Sequence, residues 1–190
     1  MKRVICVALL LVALALPAKA EEGARLNAVK ITFLSWATGS TKISYERAIP
    51  EWRQSGEFCT SLISAGYDKY KNNPLGFTLR YGHKFFLGDY SAERPLDGFY
   101  VRPEYIFSRY YYDAAATGVR TLAEMSTLLA TAGYQRSFGR FIADAWFGGG
   151  YAWGTPSETG YHHGFQLLDH FGLKSDKIAF SFSIRIGYTF

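Results

Sequence analysis

The sequence predicts an all-β chain, an eight-stranded antiparallel up-and-down barrel of the kind that crosses a membrane. Three observations predict it. Segment after segment alternates apolar and polar residues with a period of two. The first residues are laid out for export. Beyond them no apolar run is long enough for a spanning helix, although aromatic residues make up 17 % of the chain and glycine supplies 19 positions.

Residues 1–20 read as a secretory signal peptide. Lys2 and Arg3 give a positive start, an apolar stretch runs from Val4 to Leu16, and Pro17-Ala18-Lys19-Ala20 offers the small residues a signal peptidase reads. The apolar stretch is shorter than the ~20 residues that a spanning helix needs. Residues 21–190 then form one barrel domain. Lys2, Arg3 and Lys19 leave with the signal, so 18 of the 21 basic residues remain against 16 acidic ones. A balance of +2 gives no case for nucleic acid as a partner. Cys6 leaves as well, and Cys59 alone cannot form an intramolecular disulfide.

The strands follow in order. The first, 28–34, sets Val29, Ile31 and Phe33 against Lys30 and Thr32. A turn at Thr38-Gly39-Ser40 leads to the second, where Thr41, Ile43 and Tyr45 oppose Lys42, Ser44 and Glu46. The third spans roughly 58–67 with a weakly specified register. The fourth, 77–85, sets Phe77, Leu79 and Tyr81 against Thr78, Arg80 and Gly82. In the fifth, Phe99, Val101, Pro103, Tyr105 and Phe107 oppose Tyr100, Arg102, Glu104 and Ser108. The sixth, about 126–135, is ambiguous. A tight Phe138-Gly139-Arg140 turn precedes the seventh, 141–151, with Asp144 on one face. The eighth is the clearest: Ile178, Phe180, Phe182, Ile184, Ile186, Tyr188 and Phe190 alternate with Ala179, Ser181, Ser183, Arg185, Gly187 and Thr189.

With both termini on the periplasmic side, 114–124 and 154–176 become outer loops, and 88–98 is an unusually long inner connection. A soluble lipocalin-like barrel has the same strand count with its apolar face turned inward. Three features favour lipid outside instead. The face carrying Lys30, Lys42, Glu46, Arg80, Arg102, Glu104, Asp144 and Arg185 is otherwise rich in Ser, Thr and Gly, as suits a narrow lumen with a charge network. Trp36, Tyr110, Tyr111, Tyr112, Trp146, Tyr151, Trp153 and Tyr188 cluster near strand ends, where amphipathic rings meet headgroups. Tyr188 and Phe190 close the last apolar face, like the signal read by the outer-membrane barrel assembly machinery.

The stretches Asn27-Ala28-Val29-Lys30, Ile43 to Ala48, Gly98 to Tyr105, Gly148 to Tyr151 and Ile184 to Phe190 carry a resemblance. On them the chain resembles a family of small outer-membrane β-barrel proteins of Gram-negative bacteria, defined by a domain of unknown function and built on the OmpA/OmpX type of barrel. The resemblance implies fold and outer-membrane location. Outer-membrane lipid, lipopolysaccharide and the assembly machinery would be the partners. It implies no catalytic residue and no cofactor.

Candidate chemistry is sparse. His162, His163, Asp169 and His170 could ligate a transition metal if their loop folded back, but the plainer reading is a solvated loop. Ser108 or Ser157 with a loop histidine would be the start of a lipid A hydrolase, yet no spacing ties them into a triad. The lumen charges could line a narrow pore or seal the barrel by ion pairing, and eight strands favour sealing. Gly148-Gly149-Gly150 lacks the Lys-Ser/Thr of a phosphate loop. The expectation is a non-enzymatic barrel of structural or surface-interaction role, offering its outer loops to an extracellular partner.

Overall fold

The computed structural model describes residues 24–33, 35, 40–68, 71–88, 91–155 and 177–190. The expected signal peptide, Trp36, Ser157, His162, His163, Asp169 and His170 lie outside these residues.

Eight strands close on themselves in chain order, every neighbouring pair antiparallel. They are β1 (Asn27–Thr32), β2 (Ser40–Ile49), β3 (Gln54–Ile63), β4 (Leu75–Leu87), β5 (Gly98–Asp113), β6 (Arg120–Phe138), β7 (Phe141–Gly154) and β8 (Ile178–Thr189). The closing pair sets Ala28 against Thr189, Lys30 against Gly187 and Thr32 against Arg185. The all-β eight-stranded barrel expected from the sequence is the fold. Among the described residues no helix is long and apolar enough to cross a membrane, which leaves strand crossings open.

Several boundaries differ from the expectation, each for a local reason. The third strand begins at Gln54 rather than near 58. A single 3-10 turn at Pro50–Trp52 reverses the chain, with Arg53 in the left-handed region at φ 55°. The strand then stops at Ile63, because Ser64 sits at φ 107°, outside the extended range open to a non-glycine strand residue. The sixth strand starts at Arg120, so the expected loop 114–124 shrinks to 114–119, and the β5–β6 ladder runs as far as Asp113↔Arg120. Weak alternation over Arg120–Glu124 hid that extension.

The short turns and both described chain ends gather at one end of the barrel, here the turn end. There Gly139 takes φ 64° in the tight β6–β7 turn. The opposite end is here the loop end, where β5 passes into β6 through 114–119. Of the long 88–97 connection, residues 91–97 fold back at the turn end and bury Leu96 against Ala28, Ala48 and Ile142. The Asp97 carboxylate accepts the Ser137 backbone N–H at 2.8 Å, which ties the cap to β6. At the loop end, Ile63, Tyr110, Tyr112 and Ala123 form a second apolar layer.

Which face points where is unambiguous. Ile31, Phe58, Leu79, Val101, Leu128, Phe147, Phe182, Ile184 and Ile186 are exposed on the outside, Phe147 at 71 %. Lys30, Glu46, Glu57, Lys84, Arg102, Glu104, Asp144 and Arg185 are all buried inside. That is the reverse of a water-soluble barrel, in which the apolar face fills the interior.

Candidate functional site: the charged lumen

Inward positions alternate along every strand, so register alone decides which side chains meet in the interior. The strands bring their charges to one level near the turn end. The Lys30 ammonium sits 2.5 Å from Glu46, 2.5 Å from Glu57 and 2.8 Å from Asp144. Lys84 reaches the same three carboxylates at 3.1, 3.3 and 3.0 Å. Gln135 accepts from Lys84 at 2.6 Å and donates to Glu46 at 3.3 Å. Tyr100 donates to Asp144 at 2.6 Å, and Ser55 donates to Glu46.

One level toward the loop end, guanidinium groups take over. Arg80 grips Glu104 side-on, Nε to Oε1 at 2.9 Å and Nη2 to Oε2 at 3.1 Å. Arg102 donates to Thr131, Glu57 and Glu104 at 3.1, 3.0 and 3.1 Å. Arg185 donates through Nη1 to Glu57. The Trp146 ring lies among all three, with guanidinium carbons 5.2, 4.3 and 5.3 Å from its centre. Space for these long side chains comes from missing ones. A Cβ on Gly82 would lie 2.6 Å from Arg102 Cδ, and one on Gly133 would lie 2.5 Å from the Tyr100 hydroxyl. The glycines on the polar face are the complement of its largest side chains.

Glu46, Glu57 and Asp144 hold carboxylate oxygens within 4.8 Å of one another, the arrangement a hard cation would want. Two lysine ammonium groups already sit among them, so the negative charge is met by the chain itself.

The predicted network therefore divides. Lys30, Glu46, Arg80, Arg102, Glu104, Asp144 and Arg185 are brought together in the interior. Lys42 faces inward but makes no ion pair among the described residues. Glu57 and Lys84, which bind the network together, were not among the predicted residues, nor were Tyr100, Gln135 and Trp146. Lys84 was legible: it continues the Thr78, Arg80, Gly82 alternation. Glu57 was hidden by the misplaced start of β3. Trp146 shares a face with Asp144 two residues before it, so it belongs inside and is no headgroup anchor.

Other expectations need correction too. Tyr110 and Tyr112 are buried in the lumen, whereas Tyr111, Tyr151, Trp153 and Tyr188 face outward. By register, Tyr45, Tyr134 and Tyr188 ring the turn end, and Tyr105, Tyr151 and Trp153 ring the loop end. Tyr151 and Trp153 stack with centres 6.3 Å apart, and Phe99 and Tyr134 meet at 4.6 Å. Phe190 joins the seam through its backbone, exchanging hydrogen bonds with Asn27 at 3.0 and 2.9 Å. Ser108 is buried in the lumen, 3.1 Å from the Thr78 hydroxyl, where no external lipid reaches it. A shallow outer depression near Phe107, Met125 and Trp153 has Glu124 as its one ionisable lining residue, and that carboxylate pairs with Arg109 at 3.1 Å.

Comparison of the chain with protein-family models, with curated proteins and with solved structures finds no match.

Proposed function

We propose that the chain is an exported outer-membrane barrel of a Gram-negative bacterium, non-conducting and non-enzymatic, whose rigid wall presents loop-end segments to the exterior. One observation carries the reading: the barrel is inside out for water. A continuous apolar outer face, with aromatic residues toward both ends and aliphatic and phenylalanine side chains between them, suits a hydrocarbon slab between two headgroup zones. An apolar surface of that extent in water would drive association.

The filled interior supports a sealed wall. The ion-paired belt, the Trp146 ring and the Leu96 cap all lie across the path an ion would take. The signal-like layout of Lys2, Arg3, the apolar stretch Val4 to Leu16 and Pro17-Ala18-Lys19-Ala20 supports export, and the outer membrane is where exported strand-crossing barrels reside. At the loop end, residues 71–74 lean on the β5–β6 hairpin. Asn73 donates to Asp113 at 2.8 Å, and Arg120 donates to Asp113 and to the Asn73 carbonyl at 3.0 and 2.6 Å. A braced rim of this kind suits a surface that a partner could grip.

Cell fractionation with a heat-modifiability gel tests the location. The expected result is outer-membrane recovery and a folded species that migrates anomalously until boiled. Recovery as a soluble periplasmic protein would overturn the reading. Planar-bilayer recording of the folded chain is expected to stay silent; stepwise conductance would overturn the sealed wall.

A further inference from the structure

The guanidinium groups around Trp146 are not equally engaged. Arg80 spends its Nε and Nη2 edge on both oxygens of Glu104. Arg102 uses Nε, Nη1 and Nη2. Arg185 uses Nη1 on Glu57, while its Nε and Nη2 have no hydrogen-bond partner, although the residue is 1 % exposed. Those two N–H groups are the same side edge that Arg80 turns on a carboxylate. They are parallel donors spaced to meet two oxygens of one oxyanion.

Further unpartnered polar groups lie close by in the register. Ser183 Oγ and Trp146 Nε1 are buried without partners, stand opposite each other across the β7–β8 ladder, and Ser183 shares the inward face of β8 with Arg185. Ser61 Oγ is likewise buried and unpartnered, and stands opposite Lys42 across the β2–β3 ladder. Lys42 has Arg80, Arg185 and Glu104 as its charged neighbours and pairs with no carboxylate among the described residues.

Charge completes the argument. Lys30, Lys42, Arg80, Lys84, Arg102 and Arg185 face inward against Glu46, Glu57, Glu104 and Asp144, which leaves two positive charges uncompensated among the described residues. Water could satisfy the idle donors, but it would leave that excess charge in a low-dielectric interior, where uncompensated charge is costly. An anion answers both needs.

We infer that the lumen, at the level of Arg185 and Lys42, is a binding site for a small inorganic oxyanion of the phosphate or sulfate class. The Arg185 Nε and Nη2 edge holds it side-on. Lys42 supplies the second positive charge, and Ser61, Ser183 and the Trp146 indole N–H supply neutral donors. The turn end is closed by Leu96, so the anion enters from the loop end or is enclosed as the barrel forms.

The test uses the processed chain folded from urea into detergent micelles, in phosphate, sulfate or chloride at equal ionic strength. The urea midpoint and the native mass of the folded protein are read. The midpoint is expected to rise with phosphate or sulfate and then saturate, and one anion mass is expected to survive desalting. Arg185→Lys keeps the charge and loses the edge, so it is expected to abolish the rise. Where that variant does not fold, the paired change Ser61→Ala with Ser183→Ala leaves every ion pair intact and is expected to weaken the apparent affinity about tenfold. Equal midpoints in all three salts with no retained mass would overturn the inference. So would a phosphate effect left unchanged by these variants, since the anion would then sit elsewhere. Both readouts are taken on folded protein in micelles, so their failure leaves the proposed location untouched.

Discussion

The two faces of this one sheet are built on opposite rules. Outward, side chains such as Phe147, Phe182 and Ile184 are large, apolar and exposed, and the ring pairs Phe99 with Tyr134 and Tyr151 with Trp153 lie on the same face. Inward, charged side chains are buried and paired with donors and acceptors from strands far apart in sequence, as when Lys30 meets Asp144. The difference teaches where specificity resides. The outer face needs a hydrophobic character that many residues could supply, whereas the inner face needs particular partners, because a buried charge without one is strongly destabilising.

The largest expected effect comes from breaking the inner face at its hub. Glu57 meets Lys30, Lys84, Arg102 and Arg185, so Glu57→Gln should cost about 3–5 kcal/mol, read as a lower urea midpoint of the folded band. A shift under about 1 kcal/mol would mean that the cations find other partners. Next comes the outer face. Phe147→Arg should cost about 2–4 kcal/mol when folding is measured in lipid vesicles. An unchanged vesicle value would break the comparison by showing that hydrocarbon does not cover this face. Gly133→Ala should cost about 1–3 kcal/mol by crowding Tyr100 and Trp146. A far-ultraviolet spectrum that is kept, with a shifted Trp signal, would locate the strain in the lumen.

The smallest effect belongs to neither face. Hydrogen bonds from Asn73 and then Arg120 hold the Asp113 carboxyl below the ordinary range. A depressed acid contributes stability above its unfolded pKa and loses it as pH falls through the folded one. Asp113→Asn should therefore leave the barrel folded and slightly loosen the loop-end rim at neutral pH, with the difference from the parent vanishing in acid. Amide exchange of 71–74 checks it, and a difference that persists in acid would reject the ion-pair account.

Much of this arrangement was legible in the sequence, for reasons that differ by strand. In β8 one face is uniformly apolar, and in β5 it is apolar from Phe99 to Phe107, so the period of two reads directly. In β3 the outward positions include Gly56 and Thr60, and in β6 they include Ser126, Ala130 and Ala132, which blurs the contrast between faces. The membership of the inward set followed from alternation wherever the strand start was right. Which lysine meets which carboxylate did not, because the stagger of eight strands around the barrel sets those meetings. Trp146 and Tyr100 show the same limit, since an aromatic residue fits a membrane girdle or a cation-lined interior equally well until its facing is known.

The ladder is uneven around the circumference. β5 and β6 are matched at 16 positions, whereas β1 is matched at five positions to β2 and five to β8. The stave that closes the cask is therefore also the loosest. In the proposed membrane setting, parting it would uncover two rows of unpaired amides and carbonyls in a medium unable to solvate them. If the proposed location holds, a factor that guides this sheet into lipid would have to lend a surrogate edge at β1 and withdraw it only as the native neighbours meet.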